Sequence, residues 1–374
     1  MLALALPSDT LGRLVEALPE TSYWPPALPN VASIGKQLDR LAYHAQQWSL
    51  RVPLATLRAA TLAFSPHARE SGPDADARAA FERRYEELLA RDLANVEAGL
   101  YPRALLFQMP LATYALRLPR LLADIPSVLQ RVWKRDYRAL PAEVDVARYP
   151  AYFRRTFHWQ TDGYFSRRSA ELYDVGVELL FAGTADIMRR QVIPPITRAL
   201  ASGSLPHDTR LLDVACGTGR TLAQIATAHP YLRFTALDLS PYYLQEAREA
   251  LADLPDVSFA AENAESLPFR DELFGIVTCV YLFHELPRPA RRKVIAEAFR
   301  VLEPGGLFVI EDSAQLAESG ELAFFLGRFA MEFHEPFYRD YLEDDLAGAL
   351  ADAGFVVESV EPHYVAKVFV ARKP

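Results

Sequence analysis

A nine-residue segment in the C-terminal half restricts the fold of this chain more than any other feature. Residues 211–219 read Leu-Leu-Asp-Val-Ala-Cys-Gly-Thr-Gly, which is an apolar run followed by a glycine-rich turn. A helical pattern follows to residue 228, so the segment predicts a strand, a tight turn and a helix. In parallel sheets, ligands bind at the carboxyl end of such a strand. Gly217 and Gly219 would let backbone amides approach a ligand closely.

The alternation seen around this turn extends over the whole C-terminal half. Short aliphatic or β-branched runs predict strands at residues 210–215, 233–237, 257–260, 274–280 and 306–311. Helical patterns at 218–228, 241–252 and 288–302 separate them, which is typical of a parallel sheet with helices on both faces. Two further runs, at 355–360 and 364–371, predict an antiparallel pair at the sheet edge. We therefore expect an α/β fold with a seven-stranded sheet.

The N-terminal half has a different pattern. Apolar residues recur every three or four positions, which predicts helices at residues 34–50, 76–98 and 101–133. We expect three parts, which are an all-helical domain over residues 1–150, an aromatic-rich lid or linker over 151–205 and the α/β domain over 206–374. The helical domain would cap a binding site or form a homodimer.

Charge and cysteine content exclude several classes of protein. Residues 201–374 carry 15 Lys and Arg against 27 Asp and Glu, so this half offers no broad phosphate-binding surface and no nucleic-acid partner is expected. The two cysteines, Cys216 and Cys279, lack the paired spacing of a zinc site. No run approaches the roughly 20 apolar residues of a membrane span. We expect a soluble, cytoplasmic protein.

Two carboxylates indicate the kind of ligand that the glycine turn binds. Asp213 precedes the turn, where it would repel a pyrophosphate but suits an ammonium group. The dinucleotide fingerprint would require a glycine at position 222, which is Leu222 here. Asp238 ends the second predicted strand, where it can accept hydrogen bonds from both hydroxyls of a ribose. These features describe S-adenosylmethionine better than a nicotinamide cofactor.

The segment from residue 211 to about 312, which contains the glycine turn and both carboxylates, resembles class I S-adenosylmethionine-dependent methyltransferases. The resemblance is to the subgroup that includes quinone-ring and small-metabolite methyltransferases. The resemblance implies a Rossmann-like sheet and S-adenosylmethionine as the cofactor. Residues 262–269 are similar to the adenine loop of that family, and residues 300–306 to the turn before its fifth strand. The resemblance implies a cofactor site made of Asp213, Ala215, Cys216, Gly217, Thr218, Gly219, Asp238, Leu239, Asn263, Ala264, Val280 and Tyr173.

Two positions depart from the family pattern. Asn263 stands where the family usually has Asp, and an amide oxygen can still accept a hydrogen bond from the adenine amino group. We therefore expect weaker selectivity for adenine at most. The family commonly has Phe-Asp where this chain has Phe274-Gly275, and the missing aspartate would remove one surface contact.

The residues that would bind the methyl acceptor lie on several segments. Methyl transfer is an in-line displacement, so holding acceptor and methyl group at near-attack distance supplies much of the acceleration. His284 could act as general base with Glu285 orienting it; the alternative is a histidine that only packs near the strand end. No metal is expected, because the spacing of these two with His334 and Glu335 matches no standard ligand pattern. Acceptor contacts are expected from His158, Trp159, Tyr164, Tyr281, Asp312, His334 and Tyr338.

Three hypotheses for the function follow. The first is a methyltransferase that acts on a small molecule. The second is methylation of a lipid or prenylated quinone at a membrane surface, which requires the apolar stripe over residues 99–129 to be exposed. The third is a non-catalytic protein that binds the cofactor and regulates a partner, in which case His284→Ala and Tyr164→Phe leave every activity unchanged.

Overall fold

A mixed seven-stranded sheet organises the C-terminal half, as the strand pattern predicts. Its strands are β1 Arg210–Val214, β2 Arg233–Asp238, β3 Ser258–Ala261, β4 Phe274–Val280, β5 Leu302–Ser313, β6 Val356–His363 and β7 Ala366–Arg372. The spatial order is β3-β2-β1-β4-β5-β7-β6. β1 to β5 run parallel, and β7 is antiparallel to β5 and β6. The predicted α/β fold with an antiparallel edge pair is confirmed.

This computed structural model describes residues 31–64, 72–157 and 162–374. The chain divides into two compact units, residues 1–42 and residues 43–374. The predicted domain boundaries at residues 150 and 206 stay predictions. The helices of the described residues are α1 Val31–Leu62, α2 Ala75–Glu97, α3 Leu111–Lys134, α4 Arg167–Leu180, α5 Ala185–Arg189, α6 Ile193–Ala201, α7 Arg220–Ala228, α8 Pro241–Ala250, α9 Arg288–Val301, α10 Ala323–Glu332, α11 Tyr338–Leu342 and α12 Leu346–Asp352.

Alternate residues of each central strand enter two separate hydrophobic clusters. Leu211 packs in one cluster with residues of α6, α7 and α8, whereas its neighbour Leu212 packs in another with residues of α9 and α12. Successive side chains of a strand point to opposite faces of the sheet. Helices therefore cover both faces of β1, which is why Leu211, Leu212 and Val214 are all apolar and Asp213 is the exception between them.

The strand order places a ligand crevice beside β1. The chain runs outward from β1 through β2 to β3, then returns to β4 on the other side of β1. Ligands in open α/β sheets bind where the order reverses, outside the carboxyl ends of the strands. The glycine turn follows β1 and residues 281–285 follow β4, so both segments border this crevice.

The predicted helices in the N-terminal half form, with two corrections to their bounds. The helix expected at 34–50 extends to Leu62. The single helix expected over 101–133 is divided into a 3-10 helix at Arg103–Phe107 and the longer α3. Pro110 is the residue before α3, and a proline disfavours helical geometry in the residue that precedes it, which favours a break at this point, although Pro119 and Pro126 lie inside α3.

α2 shares a core with the edge of the sheet. Tyr85 and Leu88 of α2 cluster with Met188 and with Tyr364 and Ala366 of the C-terminal hairpin. All of these residues except the hairpin precede β1 in sequence. The hydrophobic surface of α2 is thus buried against the α/β fold.

Gly275 has a structural explanation. Any side chain at this position would place its Cβ closer to Thr209 Oγ1 than van der Waals contact permits. Thr209, the residue directly before β1, therefore packs closely against the backbone of Gly275. The departure from the family pattern at this position follows from that close packing.

Candidate active site

The three residues that shape the turn after β1 all adopt the left-handed conformation. The φ angles are 58° at Ala215, 56° at Gly217 and 80° at Gly219. A Cβ at Gly217 would meet no atom within 4 Å, whereas a Cβ at Gly219 would lie 3.1 Å from Leu251 Cδ1 and 3.3 Å from Ala247. Gly217 therefore borders open space, and Gly219 permits close packing of the turn against the end of α8.

Asp238 holds the glycine turn in place. Its Oδ2 accepts a hydrogen bond of 2.9 Å from the amide of Gly217, and its Oδ1 accepts one of 2.8 Å from the amide of Ser240. Burial raises the pKa of Asp238 to about 6, with a smaller contribution from the charge of Glu285. A carboxylate at this position can also receive hydroxyl donors from the cavity that it borders.

Asp213 lies behind the turn and is 1% exposed. Thr278 donates a hydrogen bond of 2.7 Å to its Oδ1, while its buried Oδ2 has no hydrogen-bond partner. Burial raises the pKa of Asp213 to about 7, and Asp238 adds to the shift. A buried carboxylate oxygen without a donor favours a nearby positive charge or a proton.

The glycine-loop cavity, named here for the turn that borders it, holds about 770 Å³ of empty space, part of which is open to solvent. Its lining includes eight residues of the predicted cofactor site, namely Ala215, Gly217, Asp238, Leu239, Asn263, Ala264, Val280 and Tyr173. Asp213, Cys216, Thr218 and Gly219 lie outside that lining. Thr218 instead donates to both carboxylate oxygens of Asp174 at 2.9 Å, which ties the turn to α4.

The cavity and the residues behind it offer the acceptor groups that S-adenosylmethionine requires. Carboxylates at 213 and 238 suit its cationic and hydroxyl groups, and Gly217 leaves room for close approach to the backbone. Asn263 accepts a hydrogen bond of 2.9 Å from the amide of Glu265, which shapes the predicted adenine loop. The residues present therefore fit the predicted cofactor.

An aromatic layer from the segment before α4 covers the glycine-loop cavity. Tyr152, Phe153, Phe157 and Tyr164 line it together with Tyr173 of α4. The rings of Phe153 and Tyr164 stack with centroids 5.4 Å apart. The predicted acceptor contacts at residues 158 and 159, His158 and Trp159, lie outside the described residues.

His284 is paired with Asp312 at the carboxyl end of the sheet. Its Nδ1 lies 2.6 Å from Oδ1 of Asp312, and Oδ2 of the same carboxylate accepts a hydrogen bond from the amide of Phe283. Burial by itself would lower the pKa of His284, but Asp312, Glu335 and Glu285 together raise it above its ordinary value. Asp312 is fully buried, so it orients His284 from behind.

Two further carboxylates lie beside His284. His284, Glu285 and Glu335 offer ligand atoms that all lie within 4.8 Å of one another. The spacing in sequence did not indicate this cluster, because the loop that carries Glu335 returns to the end of β4 only in three dimensions. The prediction that no metal takes part stays a prediction. Tyr164 donates a hydrogen bond to Glu285, which links the cluster to the aromatic layer.

A second cavity, here called the apolar cavity, opens on the other side of this cluster. It holds about 1120 Å³ of empty space, part of which is open to solvent, and is bordered by His284, by Phe181 just after α4 and by side chains of α1, α3, α4 and α10, among them Leu62, Leu121, Leu172, Val177 and Phe329. Tyr173, Tyr281 and Glu285 border both this cavity and the glycine-loop cavity. The two cavities therefore meet beside His284.

The remaining predicted acceptor residues lie in different surroundings. Tyr338 borders a neighbouring cavity that also contains His284, and its hydroxyl lies 2.5 Å from Ser313 Oγ. His334 stacks on Tyr137 with ring centroids 3.4 Å apart and is absent from the lining of the described cavities. Arg58 and Phe329 border the apolar cavity but were not predicted, since neither belongs to a motif. Only the packing of distant helices brings them to the site.

The comparisons with known proteins agree with this geometry. Residues 211–306 match a family model described as a methyltransferase domain. A demethylmenaquinone methyltransferase of Renibacterium salmoninarum is 34% identical over 143 residues, which are 38% of this chain and 54% of that protein. A malonyl-[acyl-carrier protein] O-methyltransferase of Geobacter sulfurreducens is 29% identical over 178 residues, which are 46% of this chain and 64% of that protein.

A solved structure extends the comparison. A putative methyltransferase of Bacillus halodurans is 22% identical and aligns with a TM-score of 0.39, covering 48% of this chain and 98% of that chain. The chain spans about half the length of the first curated relatives that it matches. By the family model, residues 211–306 are a methyltransferase domain, and the predicted class of domain is confirmed. The family model does not extend to residues 1–150.

Proposed function

We propose that this protein transfers a methyl group from S-adenosylmethionine to an apolar small molecule. The observation that carries the proposal is the meeting of the glycine-loop cavity and the apolar cavity at Tyr173, Tyr281 and Glu285. An in-line displacement needs donor and acceptor on opposite sides of one short gap. The names of the relatives, which are methyltransferases of quinones and of an acyl-carrier protein, support a methyl acceptor without identifying it.

The bound cofactor would supply a methyl group on a sulfonium sulfur, and breaking the sulfur–methyl bond would release a neutral thioether, which is a good leaving group. Asp238, Asn263 and the backbone at Gly217 would hold it in the glycine-loop cavity. His284 borders the apolar cavity, where it would remove the proton of an acceptor hydroxyl or similar group. Asp312 would hold the ring orientation and stabilise the protonated imidazole. The aromatic layer would exclude water from the gap.

Replacement of Asp238 by alanine tests the cofactor site. The carboxylate both borders the cavity and fixes the amide of Gly217, so its loss is expected to weaken S-adenosylmethionine binding by about tenfold or more. Titration calorimetry of the full chain measures the affinity. Asp253→Ala, in an exposed turn after α8, serves as the control and should bind as the wild type does. Undiminished binding by Asp238→Ala would overturn the assignment of this cavity.

Methylation at a membrane surface is the second candidate. In α3, Leu116 is 79% exposed and Trp133 is 61% exposed, and Leu111 and Leu122 are also exposed. Apolar side chains on the surface of a helix can bury themselves in a lipid interface. Among the described residues, no helix is both long and apolar enough to cross a bilayer. This candidate therefore concerns docking of α3 on a surface.

Sedimentation with liposomes separates the two candidates. If α3 docks, the wild type co-sediments with vesicles of phosphatidylglycerol and phosphatidylcholine, and Leu116→Ser together with Trp133→Ser lowers the bound fraction several-fold, because these side chains lose apolar contact with lipid. Tyr231→Ser, which is 78% exposed at a site outside α3, is the matched control. If the wild type stays in the supernatant, docking on a membrane surface is excluded and only the first candidate, methylation of a small molecule away from a membrane, remains.

A further inference from the structure

Arg58 of α1 brings a positive charge to an otherwise apolar place. It borders both the apolar cavity and the neighbouring cavity that contains Tyr338. His284 borders the same two cavities, so the guanidinium and the proposed base line the same spaces. The rest of the apolar cavity consists mostly of leucine, valine and phenylalanine side chains. A cation in such surroundings is unfavourable unless something compensates it.

No described residue neutralises Arg58. Its Nε is buried and has no hydrogen-bond partner, and no described carboxylate forms an ion pair with its guanidinium. The guanidinium carbon lies 6.0 Å from the ring centroid of Phe333, which is a weak cation–π contact. Burial lowers the pKa of Arg58, while the charges of Tyr364 and Glu332 act in the opposite direction.

The acidic side chains that border these cavities have hydrogen-bond partners of their own. Asp124 accepts a hydrogen bond of 3.1 Å from Nε of Arg168, and Glu332 pairs with Nε of Arg328 at 2.6 Å. Glu285 accepts a hydrogen bond from Tyr164 on the side of the glycine-loop cavity. Arg58 thus forms no ion pair with the acids that border these cavities.

We propose that the methyl acceptor is an apolar acid whose carboxylate binds to Arg58 while its nucleophilic group lies beside His284. A guanidinium offers paired donors that match the two oxygens of a carboxylate. A single arginine in an apolar cavity suits one negative charge, whereas a phosphate monoester carries close to two and needs more donors. This inference rests on the proposed function, because it names the substrate class of the same site.

Two naphthalene probes test the inference without requiring methyl transfer. 6-Hydroxy-2-naphthoate and 6-hydroxy-2-naphthamide share shape and hydroxyl group and differ in charge. Calorimetry with the full chain, without S-adenosylmethionine, is expected to give a preference for the carboxylate of about tenfold to a hundredfold. Arg58→Met is expected to lose the preference for the carboxylate. Its affinity for the amide should equal that of the wild type, and this equality shows that the cavity of the variant is folded.

Arg51→Met is the matched control. Arg51 lies two turns earlier on α1, pairs with Glu82 and borders neither cavity, so this variant should keep the preference. Equal wild-type affinities for the two probes, a preference that survives in Arg58→Met, or no binding of the carboxylate would each overturn the inference. Failure of the proposed function is read separately, from the affinity of the wild type and of Asp238→Ala for S-adenosylmethionine.

Discussion

His284→Gln is expected to lower kcat/KM for methyl transfer by about 10²- to 10⁴-fold, the usual contribution of a general base. Glutamine can still donate an amide hydrogen to Asp312, so the variant should fold, but it cannot accept a proton at neutral pH. The rate is measured with S-adenosylmethionine and an acceptor found by incubating the wild type with labelled cofactor and cell extract. His229→Gln, whose ring contacts Thr197 far from the cavities, is the control for histidine replacement.

The pH profile distinguishes a base from a packing residue. His284 acts as a base only when neutral, and the neighbouring carboxylates raise its pKa above the ordinary 6.5. kcat/KM should therefore rise with pH and level off above that raised pKa. Asp312→Asn removes the largest of the raising charges, so the inflection should move to lower pH while the rate also falls. A His284→Gln enzyme with near-wild-type rate and an unchanged profile would show that His284 only packs near the strand end.

Asp92→Ala is expected to lower the free energy of unfolding by about 3–5 kcal/mol, because it leaves a buried charge without its partner. Asp92 of α2 is completely buried. It accepts hydrogen bonds from Nε of Arg190 at 2.6 Å, from the hydroxyl of Tyr101 at 2.5 Å and from the hydroxyl of Tyr43. Loss of the carboxylate would leave the guanidinium of Arg190 without an ion pair in the core between the helices and the sheet.

Urea unfolding monitored by circular dichroism measures this effect. Asp208→Ala is the matched control, since Asp208 pairs with Arg233 at 3.0 Å while both side chains remain about two-thirds exposed. The loss of an exposed ion pair is expected to change stability by less than about 1 kcal/mol. Replacing Asp92 by Leu together with Arg190 by Met should recover part of the stability, because no buried charge then remains. Similar losses for Asp92→Ala and Asp208→Ala would contradict the proposed difference.

The strands and the glycine turn could be predicted because each depends on residues that are close in sequence. Apolar runs of β period and a turn that needs left-handed backbone are local features. Helix bounds in the N-terminal half were less accurate, since Pro110 interrupts the pattern over residues 101–133 at a position that periodicity alone does not reveal. The same periodicity could not indicate that α2 packs against the C-terminal hairpin, which is far away in the chain.

The sequence by itself identified the ligand-binding turn after β1 and the carboxylate at the end of β2. Both belong to a motif that is defined by the order and spacing of residues within about thirty positions. Tertiary structure alone decided which of these residues border the cavity. It assigned Gly219 to packing against α8 and placed Asp213 behind the turn. It also brought Arg58, Tyr173 and His284 around connected cavities. These residues lie on elements far apart in the chain, and their meeting depends on how helices pack on the sheet, which no local pattern encodes.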